Sequence, residues 1–119
     1  MLSPNDQKTI ATWNQEPLTT INKCIHQLIE RQVCEQPESA TAVDAFDMKL
    51  TYRELDELST RLAHHLSGLK LKSTLIPIFF EKSAWPIVAM VAVLKAGAAF
   101  VSADESSIPS SGLSYAFVV

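Results

Sequence analysis

Three histidines are the side chains of this sequence best suited to hold a metal ion. His64 and His65 are neighbours, and His26 lies in an earlier predicted helix. Adjacent residues of a helix point about 100° apart, and the sequence has no His-Glu-x-x-His pattern that would place two imidazoles on one helical face. We therefore expect solvated helix residues and no metal site.

Carboxylates that face each other across a substrate can act as a general acid and base. Four acidic residues are near enough in sequence to raise this possibility: Asp44, Asp47, Asp56 and Glu57. They flank predicted turns or lie at exposed positions of a predicted helix. The pattern favours a charged surface over a catalytic pair.

Two further groups have nucleophilic side chains. Ser110-Ser111-Gly112 resembles a nucleophile or phosphate loop in composition, but it lacks a strand-to-helix context and a partner base. Cys24 and Cys34 lie in one predicted helix, where ten residues separate them by about 15 Å, too far for a disulfide. We expect two reduced thiols. The sequence thus predicts no catalytic, cofactor-binding or metal-binding residue.

The composition sets the class of protein. The chain has 119 residues, of which 47% are hydrophobic and 19% charged, which fits one small domain or a piece of a larger one. A net charge of −3 without a Lys/Arg cluster argues against nucleic-acid binding. The N-terminus lacks the pattern of a secretory signal, and the longest uncharged apolar stretch is shorter than the ~20 residues that cross a bilayer. We expect a soluble, cytoplasmic chain.

Hydrophobic spacing predicts the elements that position these side chains. Residues 1–20 carry two prolines and no sustained period, so we expect an extended leader that Trp13 anchors to the body. Helical spacing predicts a helix over 22–36, ended by Pro37. Two short strands joined by a turn follow, over 40–46 and 50–52.

The clearest local signal is the capping box of Thr51 and Glu54, which opens a second helix. A stripe of leucines at steps of three and four follows, and Gly68 is the predicted stop. The stripe consists of Leu55, Leu58, Leu62, Leu66 and Leu69.

The last part of the chain predicts strand, helix and strand. Residues 75–80 form an apolar strand in which Pro77 argues for an edge or a bulge. Ser83 is the predicted cap of a third helix, apolar all round and ended by residues 95–97, and a strand follows over 98–101. This order predicts an α/β fold, a partial layer of helices on a mostly parallel sheet.

Four stretches in this order resemble the N-terminal part of the adenylation domain of nonribosomal peptide synthetases, within the AMP-forming acyl and amino-acid ligases. They are WNQ, CIHQLIERQVCEQPESATAV, LTYRELDELSTRLAHHL and EKSAWPIVAMVAVLKAGAAFV. The similarity has a filamentous-fungal character and covers about residues 2–101. It implies the N-terminal portion of the large subdomain: a leader or linker over 1–20, a partial adenylation domain over 21–104 and a divergent tail over 105–119.

The resemblance also implies a chemistry. The family uses ATP and Mg²⁺ to make an aminoacyl-AMP, and hands the acyl group to the phosphopantetheine thiol of a carrier domain. A glycine-rich loop ending in Pro-Lys-Gly holds the phosphates, whereas the only glycines here are Gly68, Gly97 and Gly112. The other ATP contacts, the amino-acid pocket and the catalytic lysine lie downstream of the matched region. We therefore expect no cofactor bound by this chain and no activity from it alone, with Thr51, Glu54 and Gly97 as scaffold.

The sequence departs from the family pattern after Val101. Relatives continue with Pro, an aliphatic residue, Asp and Pro, whereas residues 102–105 here read Ser-Ala-Asp-Glu and only Asp104 matches. We expect a truncation, a read-through intron or a frameshift rather than genuine divergence. Two roles stay open: half of a split ligase, with the rest of an adenylation domain or another synthetase module as partner, or a non-enzymatic binding or regulatory fragment. Neither nucleic acid nor membrane is an expected partner.

Overall fold

The computed structural model describes residues 1–70 and 75–103, together with the backbone of residues 117–118. Its elements are α1 (Pro4–Trp13), α2 (Ile25–Glu35), β1 (Thr41–Asp44), β2 (Lys49–Thr51), α3 (Tyr52–Gly68), β3 (Leu75–Phe79), α4 (Trp85–Lys95), β4 (Ala99–Ser102) and β5 (Phe117–Val118). Among these helices none is long and apolar enough to cross a bilayer. Asp104 and Ser110-Ser111-Gly112 lie outside the described residues.

The N-terminal leader contains a helix, so the expected extended conformation is wrong over Pro4–Trp13. Ser3 Oγ accepts a hydrogen bond from the Asp6 N–H at 3.1 Å, and Asp6 Oδ2 accepts one from the Ser3 N–H at 3.1 Å. Pro4 is tolerated because the first helical position needs no N–H donor. The predicted anchor is also wrong: Trp13 is 72% exposed, and no residue of α1 is buried.

The second helix and the strand pair form where the pattern predicts them. α2 begins at Ile25 with Cys24 as its N-cap, and it ends at Glu35, just before Pro37. Both cysteine thiols are free and exposed. β1 and β2 pair antiparallel, with Val43 opposite Leu50. Their buried side chains pack in one cluster with residues of α3 and α4, so the hairpin lies against both helices.

The capping box at the start of α3 is confirmed. Thr51 Oγ1 accepts from the Glu54 N–H at 3.3 Å, and Glu54 Oε2 accepts from the Thr51 N–H at 2.8 Å. Of the leucine stripe, only Leu69 is largely exposed, because it lies past the helix end. Gly68 is the last helical residue and not a left-handed stop, since Lys70 takes the positive φ of 55°.

The sheet of β3, β4 and β5 is parallel, as the order of elements predicts. β3 lies in the centre, with Ile76 opposite Phe100 on β4 and Ile78 opposite Phe117 on β5. The edge position expected from Pro77 is therefore wrong. β5 pairs with Ile78 and Phe79 of β3. Pro77 therefore lies in the part of β3 that is not paired with β5.

α4 is the central element of the core. It is apolar all round, as predicted, and it supplies buried residues to two clusters. One cluster packs α4 between α3 and β3, and the other packs it against the β1–β2 hairpin. Its buried residues are Val88, Ala89, Val91, Ala92 and Val93. Gly97 then turns the chain into β4 with a φ of 77°.

Candidate functional site

Lys95, at the end of α4, has the least exposed side chain among the ion pairs of the described residues. Its Nζ donates to Asp56 Oδ1 at 2.6 Å and to Thr60 Oγ1 at 2.9 Å, both on α3. The Lys95 side chain is only 9% exposed and that of Asp56 34%. The expectation that Asp56 is a plain surface charge is therefore wrong. Lys95 and Asp56 form an ion pair that joins the last turn of α4 to the middle of α3.

A signal for this pair was present in the sequence. Lys95 is the one charge in a helix that is otherwise apolar, and a buried charge requires a partner. Asp56 and Thr60 are four residues apart, which places their side chains on one face of α3. The sequence does not show that Asp56 and Lys95, which are 39 residues apart, come into contact when the two helices pack.

Asp47 forms a second hydrogen bond between residues that are distant in sequence. Its Oδ1 accepts a hydrogen bond from the Ala84 N–H at 3.1 Å, at the start of α4. Ser83, the predicted cap, lies one position earlier than the N-cap residue Ala84, and its Oγ accepts from the Trp85 N–H at 3.3 Å. Asp47 is exposed, as predicted, and the sequence did not indicate its bond to Ala84. The surface prediction is confirmed for Glu57 and for Asp44, which pairs with Lys49 at 3.1 Å.

Two of the three histidines line one cavity of about 260 Å³ between α2 and α3. His64 is exposed, as predicted, whereas His26 is half-buried. Glu30 and Lys95 also line this cavity, but the Lys95 ammonium already has Asp56 and Thr60 as acceptors. Throughout residues 1–70 and 75–103, no group of three or more His, Cys, Asp or Glu side chains is arranged to hold a metal ion. His65 is exposed, away from this cavity.

The helix ends show whether these residues fit the phosphates of ATP. A phosphate binds where backbone N–H groups at a helix N-terminus are open. In each described helix the N–H of the N-cap residue donates to a side chain of the chain itself: Asp6 in α1, Gln27 in α2, Glu54 in α3 and Asp47 in α4. Gly68 and Gly97 lie at helix C-termini, where the carbonyl dipoles disfavour an anion. The starts of α1, α3 and α4 therefore do not fit a phosphate of ATP, because a carboxylate already lies at each of them.

One face of the parallel sheet is apolar, and no element within residues 1–70 and 75–103 covers it. Side chains alternate along a strand, and Ile76 and Ile78 point into the core, at 0% and 4% exposed. The residues between them point the other way, where Leu75 is 61% exposed and Val101, opposite Pro77 on β4, is 44% exposed. We call this surface the open sheet face: Leu75, Pro77, Phe79, Ala99 and Val101. Since parallel sheets are normally buried on both faces, this face has the character of an interior surface.

Comparison with known proteins matches this chain to a short part of much longer proteins. The sequence model of the AMP-binding enzyme family matches residues 29–116. Nonribosomal peptide synthetase 4 from Gibberella zeae is 44% identical to this chain over 110 residues. The aligned region is 92% of this chain and 1% of that synthetase, so the chain spans a very small part of the curated relative that it matches.

Solved structures also match this chain over only a part of their own length. The N-terminal subdomain of NpsA from Klebsiella oxytoca superimposes with a TM-score of 0.65 at 28% identity, covering 72% of this chain and 23% of that subdomain. The nonribosomal peptide synthetase FmoA3 gives a TM-score of 0.72 over 89% of this chain and 12% of its own, and at 24% identity it shows the fold alone. The chain belongs to the AMP-binding enzyme family, within which it matches the N-terminal part of the adenylation domain of nonribosomal peptide synthetases.

Proposed function

We propose that these 119 residues are a structural portion of an adenylation domain and have no adenylation activity by themselves. The complete domain would activate an amino acid with ATP as the aminoacyl-AMP and load it on a carrier thiol in secondary-metabolite biosynthesis. The remainder of such a domain would be the partner of this chain. All the relatives named above are synthetases, so a separate regulatory role is not favoured.

The open sheet face is the observation that carries this proposal. Leu75 and Val101 expose a large fraction of their side chains on one face of a parallel sheet, and the described helices α3 and α4 pack on its other face. Burying apolar surface contributes roughly 25 cal/mol per Å², so a second layer packed on this face would be strongly favoured. The remainder of an adenylation domain is the source of that layer.

The charges at the helix starts support the second half of the proposal. The carboxylates of Asp47 and Glu54 accept the N-cap N–H groups of α4 and α3, and their negative charge disfavours a nucleotide phosphate at these two helix N-termini. ATP, Mg²⁺ and the amino acid would therefore be held by the remainder of the domain. We further propose a cytoplasmic location, because both free thiols are exposed and such thiols persist in a reducing compartment.

A chimeric synthetase tests this function. The matching segment of the adenylation domain of nonribosomal peptide synthetase 4 would be replaced by residues 2–101 of this chain, and amino-acid-dependent ATP–pyrophosphate exchange would be measured. We expect exchange with the amino-acid preference of the host, because no pocket residue lies in the transplanted segment. Exchange with a different amino acid, or a folded chimera without exchange, would contradict the proposal.

The same chimera can test the open sheet face. Val101→Glu places a charge on that face and should abolish exchange, because a carboxylate buried without a partner is destabilising. Leu18→Glu is the matched control, since Leu18 is 99% exposed in the leader and far from the sheet in sequence. If both variants retained exchange, the second layer would not pack on the open sheet face.

A further inference from the structure

An apolar groove lies between α3 and the first half of α4, on the other side of the fold from the open sheet face. It has a volume of about 320 Å³, and its walls are apolar except for Arg61. Trp85, 40% exposed, forms part of its rim. We call it the Trp85 groove, and its principal lining residues are Leu58, Arg61, Leu62, Phe80, Trp85 and Val88.

α1 and the residue before its N-cap carry large apolar side chains that no element within residues 1–70 and 75–103 buries. Trp13 is 72% exposed and Leu2 56% exposed, although both are large hydrophobic side chains. Steps of four and three residues place Asp6, Ile10 and Trp13 on one side of the helix. Leu2, just before the N-cap, lines the same shallow hollow as these three. We call this set the Trp13 stripe. A stripe of this kind is what a helix presents when it docks in a groove.

The charges of the two surfaces are complementary. Arg61 lines the Trp85 groove and makes no ion pair within residues 1–70 and 75–103. Asp6 is the only acidic residue of the Trp13 stripe, and only its Oδ2 is used by the capping box with Ser3. Hydrogen bonds from Ser3 also lower the pKa of Asp6, so this carboxylate is ionised at neutral pH. Arg61 and Asp6 can therefore pair at the rim while the apolar side chains fill the groove.

We propose that two copies of this chain associate reciprocally, with the Trp13 stripe of each copy docked in the Trp85 groove of the other. The structure holds α1 away from its own core, with no buried residue, so a second copy can reach it. A reciprocal exchange of one helix is closed and twofold symmetric, and it buries two such contacts at once. Tryptophan and arginine are also the residues that most often dominate the energy of an interface.

The full chain contains two tryptophans, Trp13 and Trp85, and the proposed contact buries both. Sedimentation velocity from low to high micromolar concentration should show a monomer–dimer equilibrium. Tryptophan emission should shift to the blue over the same concentration range. A wild-type chain that stays monomeric throughout, or whose emission does not change as it dimerises, would overturn the proposal.

Matched variants locate the interface. Trp13→Ala and Trp85→Glu should each weaken dimerisation by at least about tenfold, the effect of losing an anchor residue. Ile87→Glu is the control for Trp85→Glu, because Ile87 lies on the same helix at 39% exposure and does not line the groove. Leu18→Ala is the control for Trp13→Ala. Both controls should dimerise as the wild type does.

Two results would contradict this location. Dimerisation that survives both Trp13→Ala and Trp85→Glu would exclude the groove. Dimerisation abolished by Val101→Glu alone would place the interface on the open sheet face. Thermal melts show whether each variant is folded, and Trp13→Ala keeps the test decisive if Trp85→Glu unfolds, because α1 contributes no residue to the core.

Discussion

The ammonium of Lys95 on α4 lies 2.6 Å from the carboxylate of Asp56 on α3, and Thr60 completes its hydrogen bonds. This contact joins two of the four stretches by which the sequence resembles an adenylation domain, since Asp56 belongs to LTYRELDELSTRLAHHL and Lys95 to EKSAWPIVAMVAVLKAGAAFV. Both stretches are therefore structural in this chain. They hold α4 against α3 at the point where Gly97 turns the chain into β4.

Replacing Lys95 tests the strength of this ion pair. Lys95→Met keeps the length of the side chain but leaves Asp56 without its partner in a half-buried position. We expect a loss of roughly 1–3 kcal/mol in the free energy of unfolding, at the lower end for buried pairs because Asp56 still reaches water. Urea denaturation measures this loss, and adding Asp56→Asn should recover part of it.

An exposed ion pair is the control for this experiment. Arg31 and Glu35 are 2.7 Å apart on α2, but their side chains are 64% and 46% exposed. Glu35→Gln should therefore change the free energy of unfolding by less than about 0.5 kcal/mol. If Lys95→Met and Glu35→Gln changed the free energy of unfolding by the same amount, burial of the pair of Lys95 and Asp56 would not increase its contribution to stability.

Asp47 should stabilise α4 from outside the helix. Asp47→Ala removes the acceptor of the Ala84 N–H, and we expect a loss of about 0.5–2 kcal/mol, as for other helix caps. Asp44→Ala is the matched control in the same hairpin, because it breaks only an exposed ion pair with Lys49. If urea denaturation gave the two variants the same stability, the connection between Asp47 and α4 would not matter.

The two described glycines provide a clean test of backbone strain. An added Cβ would meet no atom within 4 Å at Gly68 or at Gly97, so neither substitution is limited by space. Gly97 has a φ of 77°, and Gly97→Ala should cost about 1–2 kcal/mol. Gly68 is helical, and Gly68→Ala should gain about 0.5–1 kcal/mol. Effects of the same sign in thermal melts would contradict the assigned conformation of Gly97.

The stability of α1 should depend on pH through the ionisation of Asp6. Hydrogen bonds from the Ser3 side chain and backbone lower the pKa of Asp6 below its ordinary value of 3.8. A group with a lowered pKa in the folded state stabilises above its unfolded pKa, and this contribution is lost as the pH falls through the folded value. The amide signals of Ser3 and Asp6 should therefore titrate below pH 3.8 in NMR spectra.

Asp6→Asn is the control for this titration, because it removes the ionisable group and keeps a capping side chain. The core signals of α4 should not follow the same titration, since α1 has no buried residue. A titration of Ser3 that persisted in Asp6→Asn would assign the pH dependence to another group.

The elements that sequence reasoning placed well are those with strong local patterns. The capping box of Thr51 and Glu54 set the start of α3, and the apolar run after Ser83 predicted a buried helix that ends before Gly97. Both signals lie within one turn or one face of a helix, so no knowledge of the rest of the chain was needed. α1 was missed because Pro4 was interpreted as a sign of a loop, although proline is also common at the first position of a helix.

The contacts that sequence reasoning missed join distant residues. The sequence predicts only surface charges at Asp56 and Asp47, because their partners Lys95 and Ala84 lie 39 and 37 residues away. The position of β3 was missed for a similar reason: its second neighbour, β5, comes from the end of the chain. Local periodicity carries no information on which strands become neighbours, so a contact that depends on that packing cannot be predicted from it.

The most direct test of the central claim is amino-acid-dependent ATP–pyrophosphate exchange by the purified 119-residue chain alone. The proposal is that this chain supplies scaffold for an adenylation domain and that the remainder of the domain holds ATP. It predicts no exchange above the blank with any amino acid, from a chain that unfolds cooperatively. Exchange by the chain alone would contradict it.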